Sequence, residues 1–412
     1  MSTDKIARSL QTQMRAAALQ QPIGVIVRHK PGVISAQAMA AGAQVVHTYK
    51  LLPATAMRVP PGGIDALSQD PAVEFIWPDL PVHTWLDQSA PHINIPQVWN
   101  LSFHGEGMKI GVVDTGIDPA HADFAGRIAA KTSFVGGDGT DDNGHGTHVC
   151  SIAAGSGAAS NGKYRGVAPA ASLYVAKVLD ADGGGATSGV MAGVEWAVDQ
   201  GVHVINLSLG SDGACDGTDA LSTLCDEVVR QYGIPVCVAA GNAGPAAGSV
   251  GSPGCARWTI TVGAASVGDS MASFSSRGPT ADGRTKPDIV FPGVGIAAAQ
   301  AAGTALGQVV APGYIKLSGT SMATPHATGS VALLRQAKPD LTPNQVKWAL
   351  LTSAVDLHQP ANSQGSGRAD VLAAYQKIAG GDIPDLPDPP TPGQTGKQPG
   401  CWEQIKQMLG IG

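Results

Sequence analysis

Between about residues 93 and 378 the sequence alternates short, continuously apolar β-branched runs with windows of helical period, and no other feature constrains the fold as much. The runs are KIGVVDTG (109–116), SLYVAKVL (172–179), VHVINLSLG (202–210), IPVCVAAGN (234–242) and TITVGAA (259–265), with helical windows at 188–199 and 219–232. A strand that meets solvent on one face alternates apolar and polar residues, whereas a strand apolar throughout has both faces covered. Strands of the second kind, joined by crossover helices, form a parallel sheet between two helical layers. The expected class is therefore α/β, a doubly wound, mainly parallel sheet. Ligands of such sheets bind beyond the carboxyl ends of the strands, which is where Asp114, Ser208 and Asn242 stand in the sequence.

The flanks differ in pattern. Residues 1–20 read as an amphipathic helix or a frayed tail. Residues 21–85 hold strand-like runs at 24–29 (GVIVRH), near 57–59 and at 73–77, with helix-like runs near 34–41 and 63–68. Strand, helix, strand, helix, strand describes a small α+β, ferredoxin-like unit. The stretch 81–90 (PVHTWLDQSA) has neither helical period nor core pattern and reads as a linker or cleavage segment. The large domain covers 86–379. Residues 380–400 carry Pro384, Pro387, Pro389, Pro390, Pro392 and Pro399, the composition of a semi-rigid linker. The tail at 401–412 fits about two helical turns with Trp402, Ile405 and Leu409 on one face.

Composition excludes several classes. With 43% hydrophobic and 14% charged residues the chain has enough apolar material for a large core, so global disorder is ruled out. A net charge of −6 provides no basic field to attract nucleic acid or an anionic membrane. Lys5, Arg8, Gln11, Gln13 and Arg15 interrupt the amino-terminal stretch, which reads as neither a membrane span nor a normal signal peptide. The six cysteines (150, 215, 225, 237, 255 and 401) form no CxxC pair, so a metal site is disfavoured. Cys215 and Cys225 bracket one loop and Cys237 and Cys255 flank another segment, leaving bridges and free buried thiols both open.

Three separated segments place a reactive side chain beside glycines at the end of an element. Val113-Asp114-Thr115-Gly116 ends a buried strand in a carboxylate. Asn143-Gly144-His145-Gly146-Thr147-His148 leads an imidazole into an apolar helix. Gly319-Thr320-Ser321-Met322-Ala323-Thr324-Pro325-His326 puts a hydroxyl at a helix amino terminus. A serine hydroxyl is a weak nucleophile that needs a base, and the base needs an orienting anion, so Asp, His and Ser together form a nucleophilic triad.

In these segments and in their order the chain resembles the subtilisin-like serine proteases, or subtilases, over about residues 90–378; the order Asp, His, Ser is itself the subtilisin order. The resemblance implies that Asp114 fixes the histidine tautomer, that His145 is the general base and then acid, and that Ser321 is the nucleophile. Asn242, in Ala240-Gly241-Asn242-Ala243-Gly244, is implied as oxyanion donor together with the Ser321 backbone N–H. Ser208, Leu209 and Gly210 resemble one wall of a substrate cleft, and Gly183, within Asp182-Gly183-Gly184-Gly185, belongs to the other. Gly241 joins the substrate-binding set. Gly251, in Val250-Gly251-Ser252-Pro253, matches the floor of the primary specificity pocket, where a missing side chain would leave depth. No acidic side chain stands at the matched pocket positions, which implies a preference for large apolar or aromatic residues before the cut.

The amino-terminal unit resembles an inhibitor-type propeptide through PIGVIVRHKPG and AVEFIWPDLPVHT, and implies a self-cleaving zymogen cut between about residues 83 and 88. The chemistry requires no cofactor. Asp123 matches a calcium-ligand position, and Asp138, Asp141 and Asp142 form an acidic loop, so structural calcium stays open and no metal residue is assigned; segment 158–166 lacks the calcium loop of the secreted bacterial enzymes. Cys150, just behind His145, implies sensitivity to thiol reagents, and Met322 would be an oxidation liability if exposed. His148 and His326 read as structural. The expected partners are polypeptide substrates and the chain's own propeptide, with no nucleic acid or membrane, and a monomer after processing. Propeptide and cysteine count favour export, whereas the missing signal peptide favours either a cytoplasmic enzyme or a trimmed chain; the expected location is extracellular. The rival reading is a catalytically silent binding module of the same fold, against which Asp114, His145, Ser321 and Asn242 argue.

Overall fold

The structure, a computed structural model, describes residues 5–6, 10–11, 14, 22–30, 42–48, 53–78, 86–381 and 383–389. The chain divides into two compact units, Met1–His83 and Thr84–Gly412. In the first, β1 (Ile23–His29), β2 (Gln44–Thr48), β3 (Ala54–Val59) and β4 (Val73–Pro78) form an antiparallel sheet in the order β2-β3-β1-β4, with helix α1 at Pro61–Gln69. Val25, Val27, Met57, Val59 and Ile76 share its core with Ile64 and Leu67 of α1 and with Leu10. The α+β expectation holds, with β2 as an unforeseen strand whose Val45 and Val46 are exposed. The helix-like run near 34–41 lies outside the described residues.

The second unit is built on seven parallel strands in the order β11-β10-β9-β8-β5-β7-β6: β5 (Lys109–Asp114), β6 (Ile128–Ser133), β7 (Ser172–Lys177), β8 (Val204–Leu207), β9 (Val236–Ala239), β10 (Ile260–Ala265) and β11 (Ile289–Pro292). β8, β9, β10 and β11 are buried at every position, which is why their sequences do not alternate. One face carries α2 (His145–Ala154) and the other α3 (Thr187–Asp199) and α4 (Ala220–Tyr232), each layer with its own apolar core. A three-stranded antiparallel sheet, β12 (Ile296–Ala299), β13 (Gln308–Ala311) and β14 (Tyr314–Leu317), follows in the chain. Helix α5 (Thr320–Ala337) shares the face of α2, is buried nearly throughout and packs on α2, β8, β9 and β10. Helices α6 (Pro343–Thr352) and α7 (Val371–Ala379) complete that layer. Strand order reverses about β5, so the carboxyl ends of β5, β8 and β9 open on one crevice.

Two expectations about connectors need correction. Residues Leu86–His92 form a helix with Ser89 and Ala90 buried, so the presumed linker at 81–90 is structured in its second half. The proline-rich stretch does not leave the body at residue 380. Leu386 is buried, Thr342 donates to Asp385 at 2.6 Å and Gln345 donates to the Ile383 carbonyl at 3.1 Å, so 383–389 is docked chain. The remaining linker and the tail at 401–412 lie outside the described residues.

Candidate active site

Asp114 ends β5 fully buried, and its Oδ1 accepts from His145 Nδ1 at 2.7 Å and from the Thr115 N–H at 2.8 Å. His145 is the first residue of α2, its side chain 22% exposed. The position of that helix is set by two tight contacts. A Cβ on Gly146 would collide with the Gly116 carbonyl, and Gly116 itself has φ +114°, so glycine at both places lets the loop after β5 touch the first turn of α2. Asp141 then caps the helix: its carboxylate accepts from the N–H groups of Gly144 (2.9 Å) and Thr147 (2.8 Å) and from the Thr115 and Thr147 hydroxyls (2.9 and 2.6 Å). A negative charge at a helix amino terminus is favourable. Burial alone would push the His145 pKa down, but the charge and hydrogen bond of Asp114, with the charge of Asp141, outweigh it and raise the value above 6.5.

Ser321 opens α5, and a proline one turn later shapes its surroundings. Pro325 has no N–H, so the Ser321 carbonyl loses its helical partner; the Ser208 hydroxyl donates to it instead at 2.9 Å. In return the Ser321 hydroxyl donates to the Ser208 carbonyl at 3.0 Å. Ser208 is backed by Asn206, whose Nδ2 donates to it at 2.9 Å while its Oδ1 accepts from Thr328 at 2.9 Å. Asn242, just past β9, is aimed by Thr320: its Oδ1 accepts from the Thr320 N–H (2.9 Å) and hydroxyl (3.0 Å). The amide nitrogen is thereby free to face the start of α5. A methyl placed on Gly319 would lie 3.5 Å from Asn242 Nδ2 and 3.6 Å from the Ser321 nitrogen, so both donors face the same space.

Beside them lies a pocket of about 130 Å³ lined by Leu209–Asp212, Ala239–Asn242, Gly251, Ser252, Thr320 and Ser321. Its walls are tied by the Ser211 N–H donating to the Ser252 carbonyl at 2.8 Å. A second pocket of about 240 Å³ has Gly185, Thr187 and Val190 on one side and Leu209, Gly210 and Leu221 on the other. Asn143 donates to the Ala181 carbonyl at 2.9 Å and holds the Gly183 loop near the entrance of α2.

A family model described as the subtilase family matches residues 105–367, well over half of the chain. The chain belongs to the subtilase family. It is 42% identical over 269 residues to the serine protease AprX of Bacillus subtilis, covering 60% of this chain and 61% of that one. It is 37% identical over 348 residues to subtilisin E of the same species (81% and 84%) and 36% identical over 342 residues to an alkaline protease of Shouchella clausii (80% and 81%). Membership makes it a subtilisin-like serine protease, with the doubly wound α/β fold expected from the sequence.

Within this subtilase several expectations change. Gly251 lines the pocket, and a Cβ there would also collide with the Ser211 carbonyl. The pocket is not free of carboxylates, since the exposed Asp212 lines it. Cys150 is fully buried and its thiol is pushed up by burial and by Asp114 and Asp141, so the expected reactivity is removed. Met322 is 2% exposed. Burial lowers His148 to about 3 and His326 to about 4; they bond backbone carbonyls, and His326 also bonds Ser89. The bridge is Cys215–Cys255, neither of the local arrangements, while Cys150, Cys225 and Cys237 are free and buried. Cys401 lies outside the described residues.

The acidic loop does not converge on one point. Asp138 pairs with Lys131 at 2.7 Å, Asp142 with Lys177 at 2.6 Å, and Asp141 caps α2. Asp123 accepts from the Tyr314 hydroxyl at 2.8 Å and the Ala159 N–H at 3.0 Å. These carboxylates are engaged by protein donors, and no group of three or more His, Cys, Asp or Glu side chains that could hold a metal ion occurs among the described residues. Sequence reasoning missed Thr115, Asp141, Asn206, Thr320, Pro325 and Thr328. Thr115, Thr320 and Pro325 carried a signal as members of the Asp114 and Ser321 segments, and Asp141 as a carboxylate just before a helix start; Asn206 and Thr328 carried none.

Proposed function

We propose that the protein hydrolyses internal peptide bonds with Ser321 as nucleophile, His145 as base and acid, and Asp114 as the anion that holds the imidazole. The observation that carries this is the 2.7 Å bond from His145 Nδ1 to the buried Asp114 carboxylate, which leaves Nε2 as the basic nitrogen. Substrate binding turns the Ser321 hydroxyl from the Ser208 carbonyl toward His145, an adjustment that unliganded sites commonly need. The oxygen attacks the scissile carbonyl as its proton passes to His145. Charge growing on the carbonyl oxygen meets Asn242 Nδ2 and the Ser321 N–H. The imidazolium then protonates the leaving amine, and water resolves the acyl-enzyme by the reverse sequence.

Leu209, Ala239, Ala240 and Gly241 form the apolar part of the primary pocket's lining, which supports apolar or aromatic residues before the cut, with Asp212 at its exposed side. Ser208, Leu209 and Gly210 on one side and Gly183 on the other would pair with an extended substrate backbone. The Met1–His83 unit is proposed as a propeptide that inhibits until cleaved near residues 83–88. The Cys215–Cys255 bridge supports an oxidising, extracellular location. No helix among the described residues is long and apolar enough to cross a membrane.

The test compares purified wild type with Ser321→Ala by intact mass over time and by turnover of an internally quenched peptide. Loss of about the first 85 residues together with peptide cleavage, both absent from the variant, is the expected result. An uncut wild type without turnover would favour the silent binding module.

A further inference from the structure

The disulfide stands in a definite relation to the primary pocket. Ser211 and Asp212 line one side and lie four and three residues before Cys215; Gly251 and Ser252 line the other and lie four and three residues before Cys255. The bond therefore closes, from behind, two segments that the Ser211 to Ser252 hydrogen bond joins in front. Around it sits a framework that binds backbone rather than substrate. Buried Arg284 donates to the carbonyls of Cys255 (2.7 Å) and Asp216 (2.9 Å), and buried Arg257 donates to that of Asp216 (3.1 Å). Asp282 balances both guanidinium groups at 2.9 and 2.7 Å. On the Cys255 side, Ser252 donates to Asp219, the cap of α4, at 2.5 Å. The Gly251 side is thus fixed independently; on the other side the carbonyls of Cys215 and Asp216 are held by the Ala281 N–H and the two arginines, but Ser211 to Ala214 are all exposed and hang between the Ser211 hydrogen bond and Cys215. Cys215 is itself only partly buried.

We propose that the Cys215–Cys255 bond is a specificity clamp, positioning the Ser211–Asp212 wall and so setting the width of the primary pocket. This rests on the proposed peptidase reading of Ser321. When a soluble dithiol reduces the bond, the S–S bond breaks, two protein thiols form, and the dithiol is oxidised to its cyclic disulfide. The wall then loosens and residues that fill the pocket lose their advantage, while Asp114, His145 and Ser321 stay in place.

The experiment uses the processed enzyme and two peptide substrates that differ only before the cut, phenylalanine in one and alanine in the other. The ratio of their kcat/KM values is measured before reduction, after dithiothreitol, after reoxidation, and in Cys215→Ser. Labelling of Ser321 by a small phosphonylating reagent is followed in each sample. The expected result is a fall in the ratio of about tenfold, carried by KM for the phenylalanine peptide, which is the scale on which apolar pockets discriminate. Reoxidation should restore it, and Cys215→Ser should sit at the low value and ignore the dithiol. An unchanged ratio in reduced wild type, with Ser321 fully labelled, overturns the clamp. Should Cys215→Ser fail to fold, the reversible reduction of wild type decides alone. Failure of Ser321 to label in the oxidised enzyme would instead overturn the peptidase reading beneath the proposal.

Discussion

Thr320 touches no substrate in the proposed mechanism, yet its hydroxyl donates to Asn242 Oδ1 at 3.0 Å and accepts from the Gly241 N–H at 3.3 Å. Asn242 Oδ1 has one other donor, the Thr320 N–H at 2.9 Å, so replacing Thr320 with isosteric valine removes one of the two bonds that aim the amide nitrogen. One net hydrogen bond contributes about 0.5–1.5 kcal/mol, which corresponds to about a 2- to 13-fold loss of turnover. Because the aim matters only once charge develops on the carbonyl oxygen, kcat should fall and KM should hold. Asn242→Ala should cost about 10²- to 10³-fold, a figure measured on subtilisin itself and not worked from this structure. The decisive assay is the double-mutant cycle in steady-state peptide hydrolysis. In the Asn242→Ala background Thr320→Val should have no further effect, since the group it orients is gone. Full additivity of the two losses would refute the positioning argument.

Asp114→Asn should lower turnover by about 10⁴-fold, a magnitude taken from other triad proteases, subtilisin included. It should also move the acid limb of the kcat/KM profile to lower pH: burial depresses the His145 pKa, and only the charge of Asp141 would remain to oppose it. Iodoacetamide should leave native activity intact and reach Cys150 only after denaturation, as peptide mapping would show, because that thiol is buried and raised. Asp212→Asn should reduce kcat/KM for peptides with lysine or arginine before the cut and leave phenylalanine peptides within about twofold, since an exposed rim charge contributes at most about 1 kcal/mol.

The strands carrying the site were legible because burial on both faces forces unbroken apolar runs, as in β5, β8, β9 and β10. β11 and β12 were not: IVFP is cut short by its own proline and IAAA is three-quarters alanine, which favours helix. Asp114, His145, Ser321 and Asn242 stood out because each lies in a long local motif. What orients them does not, because it is made across the sequence. The Ser208 and Ser321 exchange spans 113 residues, and Thr328 reaches Asn206 across 122. Asp141 is different: it caps a helix that starts four residues on, through local bonds to Gly144 and Thr147, and only its bond to Thr115 is made across the sequence. The cysteine pairing failed for a related reason. Nearby cysteines were weighed as pairs, whereas the bonded ones are 40 residues apart and meet only because both follow pocket walls.

The central claim is that Ser321 is acylated by the carbonyl it attacks, and trapping that intermediate tests it most directly. Processed enzyme mixed with an activated phenylalanine ester and quenched in acid within the first turnover should carry one acyl group, and digestion should place it on the Ser321 peptide. The adduct should decay at neutral pH at the rate of steady-state turnover. Substrate hydrolysis without an adduct on Ser321, or with the acyl group on another side chain, would contradict the account.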